Sequence, residues 1–119
     1  MANPVTWFEI VGNDGNKLHS FYSDLFDWKL TKAPGPTDYF MLTEPEKGIG
    51  GGIGDAQGGQ GHVTVYVEVD DPQAYLDKAE KLGGKTVVGV TEIPNMVTFA
   101  LFADPEGHVV GVVKGQASS

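Results

Sequence analysis

Few side chains in this 119-residue sequence could do chemistry. The stretch Val5-Thr6-Trp7-Phe8-Glu9-Ile10-Val11 sets one carboxylate, Glu9, among apolar and aromatic neighbours. A carboxylate so placed could move a proton or pair with a ligand cation, which makes Glu9 the candidate catalytic residue. A second stretch, Gly61-His62-Val63-Thr64-Val65-Tyr66-Val67-Glu68-Val69, opens on a histidine that reads either as a ligand contact or as an exposed strand start. The other two histidines read as structural, His19 on the polar side of a helical pattern and His108 at the rim of a late strand. Cysteine is absent, which excludes disulfides, thiolate metal sites and cysteine nucleophiles. No Gly-x-Ser-x-Gly elbow is present, so serine-hydrolase chemistry has no support. The glycines from Gly48 to Gly54 lack the Gly-Lys-Ser/Thr and the following helix of a phosphate loop. They read instead as close backbone approach and space.

Charge narrows the partners. Eight basic residues against sixteen acidic give a net charge of −8, which disfavours nucleic acid and anionic membrane. All the basic residues are lysines, so the two-pronged grip of guanidinium on carboxylate or phosphate is not available. The sequence has no apolar run near the roughly 18 residues of a membrane span and no signal-peptide pattern at its start. A single domain in the cytoplasm is the expectation.

The elements that must position these residues come as two copies. Val5 to Val11 is a strand, with Val5, Trp7, Glu9 and Val11 on one face and Thr6, Phe8 and Ile10 on the other. Leu18, Phe21, Tyr22, Leu25 and Phe26 then recur at helical spacing over Asn16 to Phe26. A strand from Trp28 through Leu30 or Lys32, a loop over Ala33 to Asp38, and strands at Tyr39 to Thr43 and Ile49 to Ile53 complete the first module, residues 4–54. Residues 54–61 are rich in glycine and read as a linker. In the second module, residues 62–114, the strand His62 to Val69 leads to Asp71 as helix N-cap with Pro72 at the first helical position. Gly83-Gly84 ends the helix, and strands follow at Lys85 to Val90, Val97 to Ala103 and His108 to Val113. A loop fills Thr91 to Asn95, and residues 115–119 read as a frayed tail.

The copies align. Asp71 lies 71 − 14 = 57 positions after Asp14, and the same offset carries Trp7 to Thr64 and Phe8 to Val65. The turns Thr43-Glu44-Pro45-Glu46 and Ala103-Asp104-Pro105-Glu106 align at 104 − 44 = 60. The three extra residues of the second copy are expected in the Thr91 to Asn95 loop. Each module is then β-α-β-β-β, and the fold class is α+β.

The Trp-Phe-Glu-Ile opening, the Asn13-Asp14 turn, Phe21-Tyr22 and Leu25-Phe26 followed by Trp28, Val69-Asp70-Asp71, Leu82-Gly83-Gly84-Lys85 and Asp104-Pro105-Glu106-Gly107 together resemble the vicinal oxygen chelate superfamily. Glyoxalases, bleomycin resistance proteins and extradiol dioxygenases belong to it. The resemblance runs from about Val5 to Val113 and implies two βαβββ modules whose sheets curl into a cup with helices outside. It also implies, in catalytic members, a divalent metal held in the cup by His, Glu or Gln and acting as a Lewis acid. Many members are homodimers, so a homodimer is expected.

Carried over position by position, the implied ligand sites fall on Trp7, Gly51, Thr64 and Gly111. None is an imidazole or a carboxylate, so no metal or other cofactor is expected. Glu9 lies two residues after Trp7 and His62 two before Thr64, each roughly 6 to 7 Å along its strand. These displacements have opposite senses, and the two side chains are not expected to converge on one ion. Alternation lines the cup with Trp7, Glu9, Gly51, Ile53, Thr64, Tyr66, Phe99 and Gly111, with His62 near by.

Such a lining suits a flat, neutral or cationic organic molecule held by stacking and a few hydrogen bonds. The first expectation is therefore a protein that binds or sequesters a small molecule. The alternatives are a lyase, isomerase or dioxygenase-type enzyme, with atypical metal ligands or metal-free through Glu9, and a structural subunit whose cup is filled by Trp7 and Tyr66.

Overall fold

A computed structural model describes residues 2–35, 38–43, 45–56, 61–94 and 97–115. Within them the order of elements is β1 (Val5–Gly12), α1 (Gly15–Phe26), β2 (Thr31–Lys32), β3 (Tyr39–Leu42), β4 (Gly50–Asp55), β5 (His62–Val69), α2 (Pro72–Lys81), β6 (Lys85–Ile93), β7 (Val97–Ala103) and β8 (Val109–Lys114). This is the α+β, tandem βαβββ arrangement that the repeat announced. The chain divides into two compact units, one from Trp7 to Thr64 and one from Val65 onward with the residues up to Thr6. Residues 57–60 of the expected linker, 116–119 of the expected tail and Asn95 of the expected loop lie outside the described residues.

In the unit from Trp7, β1 runs parallel to β4, β4 antiparallel to β3, and β3 antiparallel to β2. Asp14 caps α1 by accepting the Lys17 amide hydrogen at 3.0 Å, which satisfies one of the free N–H groups of the first turn. Asp27 ends the helix in the left-handed conformation, φ 58°. The residues after it are not paired as a strand until Thr31, so the expected strand from Trp28 is reduced to two residues. Trp28 instead packs its ring against Phe8, Tyr22 and Phe26 at centroid separations of 5.1 to 6.0 Å. His19 is not a free surface residue. Its ring stacks on Phe40 of β3 at 4.0 Å, with the planes 8° apart, so the helix turns it toward the sheet.

In the other unit, β5 runs parallel to β8, and β7 pairs antiparallel with both β8 and β6. Asp71 caps α2, Pro72 stands in its first turn where no N–H is needed, and Lys78 and Lys81 sit in the last turn, where cations favour the helix dipole. Gly83 supplies the left-handed step beyond the end, φ 105°. One face of the helix is buried with Val69, Ala100 and Val112 around Leu76. The expected loop at Thr91 to Asn95 is a correction. Thr91, Glu92 and Ile93 pair with Phe99, Thr98 and Val97, so the extra residues lengthen β6 and are absorbed partly by irregularities between Thr86 and Thr91.

Leu76 is 1% exposed and Leu82 71% exposed. Leu76→Ala is expected to lower unfolding free energy by about 2 to 5 kcal/mol. Leu82→Ala should change it by less than about 0.5 kcal/mol. Urea unfolding of both variants checks this contrast.

Candidate functional site

Register decides which side chains share a face. Across β1 and β4, Trp7 is opposite Gly50 and Glu9 opposite Gly52, whereas Phe8 is opposite Gly51 and Ile10 opposite Ile53. Across β3 and β4, Met41 is opposite Gly52 and Phe40 opposite Ile53. One face thus carries Trp7, Glu9 and Tyr39, and the other carries Phe8, Ile10, Ile53 and Phe40 beneath α1. Gly51 and Ile53, expected beside Trp7 and Glu9, lie on the helix side. A Cβ on Gly51 would run into the Phe8 ring, and Ile53 is fully buried.

The reason is one residue in a turn. In matched ladders, Glu9, Gly52 and Met41 correspond to Tyr66, Gly111 and Leu101. The offsets are 66 − 9 = 57, 111 − 52 = 59 and 101 − 41 = 60. The β3–β4 turn is therefore one residue longer than the β7–β8 turn, and the counterpart of Gly111 is Gly52. A slip of one residue moves a strand position to the opposite face, which is how the 60-residue offset led to Gly51.

Gly52 makes room for Tyr39, since a Cβ there would strike the Tyr39 hydroxyl and ring. The ring can therefore lie across β4 and bring its hydroxyl to Glu9. Tyr39 Oη donates to Glu9 Oε2 at 2.9 Å and accepts from Trp7 Nε1 at 3.3 Å. His62 Nε2 stands 3.3 Å from Glu9 Oε1. The side chains of Glu9 and His62 are 18% and 31% exposed. Their meeting corrects the expectation that they would stay apart. Burial, and then the nearby Glu9 charge, push the Tyr39 phenol well above its usual pKa, so Tyr39 remains a neutral donor. Thr64, the last residue of the same unit, is 5% exposed.

Tyr66, Phe99 and Gly111 belong to the other unit. The Tyr66 ring occupies the space over Gly111, where a Cβ would meet it, and Phe99 meets that ring edge-on at 6.3 Å. Tyr66 is the counterpart of Glu9, and Phe99, 99 − 39 = 60 positions on, is the counterpart of Tyr39. The hydroxyl–carboxylate contact of one module is thus an aromatic pair in the other. His108 lies apart, exposed, with Nδ1 3.1 Å from Asp104 Oδ2. Asp104 Oδ1 accepts the Glu106 and His108 amide hydrogens, and these bonds, the His108 amide foremost, hold its carboxyl below the usual range. This is a turn clasp.

Sequence reasoning placed Tyr39 in a strand without naming it as a site residue. The available signal was a tyrosine one strand away from a run of glycines.

The fold defines a protein of two βαβββ modules, and the site a carboxylate held by a phenol and an imidazole. Residues 5–112 match the model of the Glyoxalase/Bleomycin resistance protein/Dioxygenase superfamily, and the chain belongs to that superfamily. CFP32 of Mycobacterium tuberculosis, named as a candidate glyoxylase, is 32% identical over 112 residues, covering 91% of this chain and 42% of that protein. The chain thus spans about two-fifths of the length of that relative. A glyoxylase-like domain-containing protein of Didymella fabae is 28% identical, covering 87% of this chain and 88% of its own. Among solved structures, a superfamily member from Vibrio splendidus 12B01 superposes with TM-score 0.63 at 16% identity, covering 96% of this chain and 100% of that one. Methylmalonyl-CoA epimerase from Mycobacterium tuberculosis gives TM-score 0.68 at 11% identity, with coverage of 94% and 87%. At such identities the likeness is one of fold.

With the corrected register, the positions at which the resemblance implies metal ligands are Trp7, Gly52, Thr64 and Gly111, whose side chains offer one oxygen, the Thr64 hydroxyl. Among the described residues, no three His, Cys, Asp or Glu side chains group to hold an ion. No described helix is long and apolar enough to cross a membrane.

Two predictions follow from the packing. Gly52→Ala is expected to cost about 1 to 3 kcal/mol, because Tyr39 must move off β4. Gly89→Ala, where a Cβ meets nothing within 4 Å, should be neutral or stabilise by at most about 1 kcal/mol. Thermal unfolding with near-ultraviolet circular dichroism reads both. The second concerns alkaline pH. The Tyr39 pKa is raised above its ordinary 10.0, so its contribution to stability is complete below about pH 10. It is lost above that, as the unfolded phenol ionises first. Urea unfolding at about pH 8 and about pH 11 should therefore show a smaller loss for Tyr39→Phe than for the natural sequence.

Proposed function

We propose that this protein binds a small, flat organic molecule, neutral or cationic, without a metal, on the sheet face that carries Trp7, Glu9, Tyr39 and His62. The observation that supports the reading most is the Trp7–Tyr39–Glu9–His62 chain of contacts. A half-buried carboxylate with a donor at each oxygen, beside two aromatic rings, combines flat apolar surface with a few oriented polar groups, as small-molecule sites do. Thr64 belongs to the proposed contact set of this face, and Tyr66, Phe99 and Gly111 to that of the equivalent face in the other unit. Gly51 and Ile53 leave the set, because they lie under α1. Residue types at the superfamily's ligand positions support a metal-free site. A homodimer located in the cytoplasm completes the proposal and rests on the family and on the sequence.

The contact between Glu9 and His62 favours one alternative, a metal-free enzyme in which this pair moves a proton. Its signature is turnover that Glu9→Gln abolishes and that chelators leave unchanged.

The test is fluorescence of Trp7 in a Trp28→Phe background, titrated with flat ligands such as indole, 4-nitrophenol and a quaternary ammonium arene, with elemental analysis of the same preparation. Saturable quenching is expected with at least one of them, weakened about tenfold, or about 1.4 kcal/mol, by Glu9→Gln. A stoichiometric divalent metal, or no saturable binding across the set, would overturn the proposal.

A further inference from the structure

Both oxygens of Glu9 are engaged within its own unit. Oε2 accepts from the Tyr39 hydroxyl, which is itself fixed by Trp7 Nε1, and Oε1 faces His62 Nε2. An ionised carboxylate can only accept. The 3.3 Å contact with His62 is therefore a hydrogen bond when Nε2 carries the hydrogen. In the neutral imidazole that leaves the lone pair on Nδ1. Among the described residues no hydrogen bond reaches Nδ1, and the side chain is 31% exposed.

From this geometry we infer that His62 Nδ1, and not Glu9, is the group that meets the ligand as hydrogen-bond and proton acceptor, and that the ligand carries a weakly acidic hydroxyl on a flat ring. The inference rests on the binding reading above and narrows its ligand to the phenol class. Glu9 is a positioning residue, which sets the tautomer and orientation of the imidazole and balances its charge if it takes a proton. Tyr39 holds Glu9 in turn. In a transfer, the ligand O–H bond breaks, the Nδ1–H bond forms, and the electron pair stays on the ligand oxygen. The products are a phenolate and an imidazolium whose Nε2–H still faces Glu9. No further reactant is needed. The arrangement selects against ligands that only accept, because Nδ1 offers them nothing and Glu9 repels an anion.

Two measurements on the full chain test this. Long-range proton–nitrogen correlation spectra at alkaline pH should show His62 with Nε2 protonated and Nδ1 bare. In Glu9→Gln the neutral amide no longer demands a donor, and the signal should move toward the other tautomer. Binding of 4-methylphenol and of its methyl ether, 4-methylanisole, is then compared at about pH 8, where an ordinary phenol keeps its hydrogen. The phenol should bind at least about fivefold more tightly, and the preference should vanish in His62→Phe while weak binding of the ether persists. A bare Nε2 in the natural sequence, equal affinity for the two probes, or a phenol preference that survives in His62→Phe overturns the inference and leaves the binding reading standing. If neither probe binds, the phenol assignment falls, the binding reading is decided by indole and the quaternary ammonium arene, and the tautomer signal still decides whether Glu9 positions His62.

Discussion

A strand almost without side chains is the constraint on which the unit from Trp7 to Thr64 depends. β4 reads Gly-Gly-Gly-Ile-Gly-Asp, and a Cβ at Gly51 or Gly52 would occupy the place of the Phe8 or the Tyr39 ring. Glycine within a strand is unfavourable by roughly 0.5 to 1 kcal/mol each, since it loses more backbone freedom on folding and packs nothing of its own. Here the rings fill the space instead. On one side Phe8 reaches Trp28 and the helix, and on the other Tyr39 reaches Glu9. Removing the side chains of one strand thus serves both the core and the candidate site.

The two modules show what can be varied on one ladder. Gly52 and Gly111 stand at equivalent positions and each admits a tyrosine ring, but from different neighbours. Tyr39 comes from the antiparallel strand and Tyr66 from the parallel one. In the first module the companion on β1 is a carboxylate, which the phenol meets by a hydrogen bond. In the second the companion on β7 is Phe99, which meets its tyrosine through ring edges. Of these two equivalent contacts, only that of the first copy is ionisable. Duplication supplied the frame, and substitution at two equivalent positions made one face polar and the other aromatic.

Much of this was legible in the sequence, because local signals and global fold agree. Asp71 caps its helix as its position implied, Asp14 does the same at the equivalent position of the first copy, and the repeat announced the order of strands. Strand faces near β1 and β5 followed from alternation. The failures have physical causes. An extra residue in the β3–β4 turn puts Gly52 and not Gly51 on the face of Trp7 and Glu9, and turn length is not visible in side-chain pattern alone. His19 was read from helix polarity, yet an imidazole can stack as well as solvate, and Phe40 offered the surface. The meeting of His62 with Glu9 joins residues 53 positions apart, and Tyr39 joins Glu9 across 30. Such contacts depend on the direction and neighbour of each strand, which no single stretch encodes.

A double-mutant cycle between Gly52→Ala and Tyr39→Ala, read by urea unfolding, bears most directly on the role given to β4. If the bare backbone exists to admit the ring, Gly52→Ala should be costly in the natural sequence and close to free once Tyr39 is an alanine, with a coupling of about 1 to 3 kcal/mol. The same cost in both backgrounds would contradict the account.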